Sequence, residues 1–130
     1  MKCVFLSRIQ EKKNLLFILE LLKEFSSKED NIYLDIYGKP ENEEYWNKCL
    51  QLIETMPSNV KINYKGPVNH NQVLPTLASY HLFILPTFAE NFGHAIFESL
   101  KVGTPILISN NTPWLNIEEQ GGGWDIPLDK

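Results

Sequence analysis

The chain alternates short apolar runs with stretches in which apolar residues recur every three to four positions. Runs at Lys2–Leu6, Ile32–Tyr37, Val60–Tyr64, Leu82–Leu85 and Ile106–Ile108 have the length of strands. Leu82–Leu85 and Ile106–Ile108 carry no polar residue at all, the form of a strand buried on both faces. Trp124–Ile126 predicts a last, short strand. Between the runs the period becomes helical. Leu15, Ile18, Leu19, Leu22 and Phe25 mark one helix, with Asn14 as its cap and the polar Ser26–Asp30 as its end. A second helix is expected from Glu41 to about Thr55, with Trp46, Leu50 and Ile53 on its apolar face, acids in its first turn and Pro57 stopping it. Asn69 and Gln72 resemble a capping box for a short helix through about Ser79, which Pro75 either kinks or delays. Pro113–Glu119 predicts another short helix before the flexible Gly121–Gly123.

The central stretch is Leu82 to Ser109. Pro86 ends its first strand, and a helix begins near Gly93 with Ala95, Ile96, Phe97 and Leu100 inside it. Lys101 falls in the last turn, Gly103 can take the left-handed position beyond it, and Pro105 prevents continuation. Strand, helix and strand here make a βαβ unit and imply a parallel sheet. Six strands with interleaved helices predict an α/β fold, a Rossmann-like open parallel sheet with helices on both faces. With right-handed crossovers, the usual nucleotide-binding strand order puts the first strand beside the fourth, and ligands bind where the winding reverses. The loops meeting there carry Arg8 and Lys13 on one side, and Glu90 with the Phe92-Gly93 amides on the other.

At 130 residues the chain is one domain with room for one sizeable core. A formal charge of -4 with scattered lysines argues against a nucleic-acid partner. No apolar run approaches the ~18 residues of a membrane span, and no charged-then-apolar leader is present. Cys3 and Cys49 have no nearby ligand partners, so they read as reduced thiols, with a cytoplasmic setting the simplest expectation. Met1 runs directly into a strand, which suggests an internal piece of a longer chain.

Glu90 and Glu98 are separated by seven residues. A helical side chain leans toward the helix N-terminus, so Glu98 should point toward the mouth where Glu90 sits, with His94 on the same helical face. Between the acids, Phe92-Gly93-His94 offers backbone N–H groups to an anion. A phosphorylated sugar would use both amides and acids. Arg8 and Lys13 suit a phosphate, although an isolated pair of this kind is by default a pair of solvated loop cations. Lys12 is expected to face solvent. His94 serves either the site or plain packing, and His70 and His81 read as structural or surface residues. Phe17, Phe25, Phe83 and Phe97 read as core. No Asp-x-Asp is present, so a carboxylate-held divalent ion is not indicated.

Ser7-Arg8-Ile9, Lys13-Asn14, Ile36-Tyr37-Gly38, Lys65-Gly66-Pro67-Val68, Pro86-Thr87, Glu90-Asn91-Phe92-Gly93, Glu98 and Gly103-Thr104-Pro105 together resemble the group 1 (family 4) retaining glycosyltransferases. The match is to the C-terminal, donor-binding half of the two-domain GT-B fold and covers nearly the whole chain. The resemblance implies that Arg8 and Lys13 neutralise a donor diphosphate, that Gly66 to Val68 lie along the base, and that Glu98 accepts from the ribose hydroxyls. It implies that Glu90 contacts the transferred sugar, that the Phe92, Gly93 and His94 amides meet sugar and phosphate, and that Gly38 and Asn91 are donor-binding positions too. Glu90, Arg8 and Lys13 would carry catalysis, with no metal or other cofactor. Ser7 and Asn91 depart mildly from the family pattern, at places where glycine and a small residue are common.

The resemblance also implies a nucleotide-sugar donor and a sugar or lipid-linked acceptor, as in polysaccharide or glycolipid biosynthesis. The acceptor would be held by an N-terminal domain outside residues 1–130, with the whole protein cytoplasmic or peripheral at the inner membrane face. Two other readings stay open: a GT-B-like sugar-nucleotide epimerase, and a non-catalytic α/β regulatory module. The second would want acids at the end of the first strand, where Ser7 and Arg8 stand.

Overall fold

The computed structural model describes residues 1–24, 31–115 and 117–128. Six strands form one parallel sheet: β1 (Lys2–Leu6), β2 (Ile32–Tyr37), β3 (Val60–Gly66), β4 (Leu82–Leu85), β5 (Ile106–Ser109) and β6 (Gly123–Ile126). Their order is β3-β2-β1-β4-β5-β6. The helices are α1 (Leu15–Glu24), α2 (Glu43–Glu54), α3 (Val73–Ala78) and α4 (His94–Lys101). α1 packs on α2, and α3 on α4. With right-handed crossovers the two pairs lie on opposite faces, because the winding reverses at β3. The Rossmann-like sheet expected from the sequence is present, with β1 beside β4 in the register Cys3↔Leu82 and Val4↔Phe83. Phe5, Phe83, Leu85, Ile106 and Ile108 fill its centre and are essentially excluded from water. Each such side chain contributes about 1.5–3 kcal/mol by burial.

β1, β2 and β4 have their expected bounds, and Leu15, Ile18, Leu19 and Leu22 form the buried face of α1. Phe25 and Ser26–Asp30 lie outside the described residues. Elsewhere the structure corrects the sequence reading. β3 runs on to Gly66, and Pro75 falls in the first turn of α3, where its missing N–H is harmless, so α3 starts late and does not kink. Asn69 precedes a 3-10 turn (His70–Gln72) without any side-chain cap, so the expected capping box does not form.

The apolar face of α2 centres on Tyr45 and Cys49, both buried; Trp46 and Ile53 pack half-buried against the core as expected, while Leu50 is 38% exposed. Leu50 and Cys49 both keep an i, i+4 spacing with a neighbouring aromatic, so periodicity alone does not choose between them. The choice is made by Tyr45, whose hydroxyl accepts the Leu16 N–H at 3.0 Å and thereby caps α1. Residues 113–115 are irregular and 117–121 form a turn, in place of the helix expected over Pro113–Glu119. Their amides are taken locally: Trp114 N donates to the Thr112 hydroxyl and Ile117 N to Asp125 Oδ1. A segment this short does not repay helix nucleation once such partners exist.

Cys3 and Cys49 are free and buried. Desolvation pushes the Cys49 thiol from its ordinary 9.0 up to about 12. The unfolded chain therefore loses this proton at a lower pH than the folded one. Stability from this thiol is complete below pH 9 and falls by about 1.4 kcal/mol per pH unit until pH reaches about 12. Urea unfolding between pH 8 and 11 should show that fall, and Cys49→Ala should remove this part of it.

Candidate functional site

The loops after β1 and β4 meet where the sheet reverses its winding. The β1 loop closes with a 3-10 turn over Glu11–Lys13, and Asn14 ends that turn in the left-handed conformation (φ 63°, ψ 41°). The turn aims Lys13 across at the β4 loop, where its ammonium donates to Glu90 Oε2 as a charge-assisted hydrogen bond. Both side chains are only 10% exposed. The two loops are sewn together around this pair. Phe88 N donates to the Lys12 carbonyl at 2.9 Å, and the Thr87 hydroxyl lies 3.1 Å from the same oxygen. Asn14 Nδ2 donates to the Pro86 carbonyl at 2.9 Å. The sequence reading placed Asn14 as a helix cap, but its side chain crosses to the other loop instead.

Lys12 is exposed, as expected. Arg8 stands apart from Lys13. Its guanidinium is 63% exposed and 3.8 Å from Glu41, a pair of little energetic weight at that exposure. Arg8 is nevertheless fixed at its root by Gly38, whose backbone lies against Ser7 and Arg8. Ser7 N donates to Tyr37 O, Gly38 N to Gly66 O, and the Tyr64 hydroxyl to Gly38 O. The ends of β1, β2 and β3 thus form one platform, with Gly66 at φ 85° and Val68 half-buried beyond it.

On the other side of Glu90, Asn91 and Phe92 are exposed, and Gly93 (φ 81°) opens α4. The first N–H groups of α4 have no carbonyl of their own helix to donate to. Glu98 opens, with His94 four residues before it, on a groove of about 550 Å³ also lined by His70, Leu74, Phe97 and Lys101. His94 and Glu98 do share a helical face.

One side chain here departs from the sequence expectation. Phe97 is 44% exposed and not core, stacking with Phe92 (6.0 Å between ring centroids) and Trp114 (6.1 Å). His70 is exposed, in keeping with the surface reading, and it also lines the groove with Glu98. Nothing in its local sequence signals this, because the groove forms only where the chain around α3 comes near α4. Among the described residues no group of three or more histidine, cysteine or acidic side chains could hold a metal ion. Nor is any helix among them long and apolar enough to cross a membrane.

The sequence profile of the family described as "Glycosyl transferases group 1" matches residues 2–124. The chain belongs to this family. Its fold agrees with solved structures of glycosyltransferases. The catalytic domain of cholesterol-alpha-glucosyltransferase from Helicobacter pylori is 22% identical, with a TM-score of 0.73 over 99% of this chain and 78% of that one. HepE of Anabaena, solved with UDP-glucose, is 18% identical, with a TM-score of 0.79 over 97% of this chain and 35% of that one. The pneumococcal O-GlcNAc transferase GtfA, solved with UDP and GlcNAc, is 20% identical, with a TM-score of 0.73 over 97% of this chain and 24% of that one. The chain therefore spans most of the first of these structures and about a quarter to a third of the other two. No curated protein sequence matches it. The group 1 family is the one that the loop motifs resemble, and the GT-B-type Rossmann-like sheet is present.

Proposed function

We propose that this chain is the donor-binding part of a retaining glycosyltransferase, and that its crevice takes a nucleoside diphosphate sugar without a metal ion. The observation that carries the reading is the Lys13–Glu90 pair at the winding reversal. There a cation for the diphosphate and a carboxylate for the sugar hydroxyls stand side by side, next to the open N-terminus of α4. Neighbouring structures holding UDP-glucose, or UDP and GlcNAc, support the ligand class.

In this reading Arg8 swings from Glu41 to the phosphates. Lys13 and the Gly93 and His94 amides stabilise the charge that grows on the diphosphate as the bond from the anomeric carbon to the phosphate oxygen breaks. The electron pair leaves with that oxygen, and the acceptor oxygen bonds to the same face of the sugar while its proton passes to the departing phosphate oxygen. The groups act mostly on the transition state, where that charge exceeds the charge in the bound substrate. Glu90 orients the sugar, Glu98 accepts from the ribose, and the platform of Gly38, Gly66 and Val68 carries the base. Asn91 and Phe92 line the approach to the sugar. The acceptor, a sugar or lipid-linked glycan of polysaccharide or glycolipid synthesis, is held by a second domain on the cytoplasmic side.

Calorimetric titration tests this directly. UDP, GDP and ADP are titrated into the chain with and without EDTA. One of them is expected to bind weakly, at high micromolar to millimolar concentration, with no effect of EDTA and a several-fold loss in Glu98→Ala. The chain alone is expected to transfer no sugar. EDTA-sensitive binding, or turnover by these 130 residues alone, would contradict the reading.

A further inference from the structure

We propose that Asn14 is the positioning residue of this site, setting where the Lys13 ammonium stands relative to the loop that carries Glu90. The inference rests on the donor-site reading above. Three observations carry it. Asn14 is the only non-glycine residue with positive φ among the described residues, and it comes immediately after Lys13. That left-handed step turns the chain from the 3-10 turn into α1 in a single residue, leaving Lys13 pointing into the crevice. Asn14 is also buried, at 8% exposure, so its side-chain amide must find a partner inside the protein. The partner it finds is 72 residues away, the Pro86 carbonyl at 2.9 Å.

The same segment grips the chain on the other side of Lys13, through Phe88 N and the Thr87 hydroxyl on the Lys12 carbonyl. Lys13 is thus held between two fixed neighbours, and Glu90 follows only two residues after Phe88. A lysine on a four-carbon stem is otherwise a mobile point charge. Fixing its root shortens the range over which it searches for a phosphate, and part of the ordering cost of binding is met in advance. Asparagine suits the position for two separate reasons: it tolerates the left-handed backbone, and it supplies the donor for Pro86. Glycine meets the first requirement only, and alanine neither.

The two substitutions therefore separate the roles. UDP and uridine are titrated into the wild-type chain, Asn14→Gly and Asn14→Ala, because only UDP presents phosphates to Lys13. Loss of one hydrogen bond predicts roughly a three- to tenfold weaker UDP affinity in Asn14→Gly, with uridine unchanged. Asn14→Ala should weaken UDP further and also lower the unfolding midpoint. In parallel, the coupling between Lys13 and Glu90 is measured by urea unfolding of Lys13→Met, Glu90→Gln and the double variant, in the wild-type and Asn14→Gly backgrounds. It should fall by half or more in the second background.

A UDP-to-uridine ratio and a coupling that both survive Asn14→Gly would overturn the positioning role, even if the variant is less stable. If the wild-type chain binds neither UDP nor any other nucleoside diphosphate, the donor reading fails. The coupling measurement then decides on its own whether Asn14 places Lys13 against Glu90.

Discussion

Replacing Lys13 with methionine is expected to abolish nucleoside diphosphate binding and to destabilise the fold by roughly 3–5 kcal/mol. The loss of binding follows from electrostatics. Lys13 stands against Glu90, and without it the phosphates would approach an uncompensated carboxylate with only the exposed Arg8 and the α4 amides to offset the repulsion. The loss of stability follows from burial. At 10% exposure the Glu90 carboxylate is largely cut off from water, so removing its cation leaves an uncompensated charge inside the protein. The double variant Lys13→Met/Glu90→Leu should recover most of the stability and none of the binding. Urea unfolding of the two single variants and the double variant checks this. A Lys13→Met chain as stable as wild type would mean that the pair is open in solution.

Gly38→Ala is expected to cost roughly 4 kcal/mol, a large part of the total stability of a domain this size. Gly38 has φ 145°, and a Cβ built on it would stand 1.7 Å from the Ser7 carbonyl oxygen. Backbone meets backbone there, so no side chain can move aside to relieve the clash. The β1 loop would have to separate from the end of β2, and Arg8 would move with it. Gly66→Ala is the control. Gly66 also has positive φ, at 85°, but nothing lies within 4 Å of a Cβ there. It should lose only about 1 kcal/mol, from backbone strain alone. Thermal unfolding of the two variants separates strain from collision. Equal losses would show that the close approach to Ser7 is not what holds the platform.

The clearest strands were legible because each is a mainly apolar run closed by a residue with a fixed meaning. Gly38 closes β2 and Pro86 closes β4. Once the runs alternate with helices, right-handed crossovers in the usual nucleotide-binding order put β1 beside β4, as observed. The meeting of the Lys13 and Glu90 loops follows from that order, though the residues are 77 apart. The ion pair itself was not legible, because it depends on a left-handed step at Asn14. An asparagine before an apolar helix reads equally well as an N-cap, and the sequence offers no means of choosing. Side-chain exposure was the other weak point. Phe97 keeps the same spacing as core residues of α4, yet it faces the groove. Only the packing of α4 against α3 and the turns around Trp114 decides which edge of the apolar stripe is left uncovered. The turns after β5 defeated the helix expectation for a related reason, since Thr112 and Asp125 supply partners that periodicity does not register.

Chemical-shift mapping tests the central claim most directly, because it reports where a ligand binds as well as whether it does. The 15.0 kDa chain, uniformly labelled with nitrogen-15, would be titrated with UDP, GDP and ADP up to several millimolar. The account predicts shifts for one or more of them that saturate and cluster on Lys13, Gly38, Gly66, Gly93, His94 and Glu98. It also predicts no such cluster with the parent nucleoside at the Lys13 and Gly93 amides. Absence of shifts with every diphosphate, or saturable shifts confined to another face of the sheet, would contradict it.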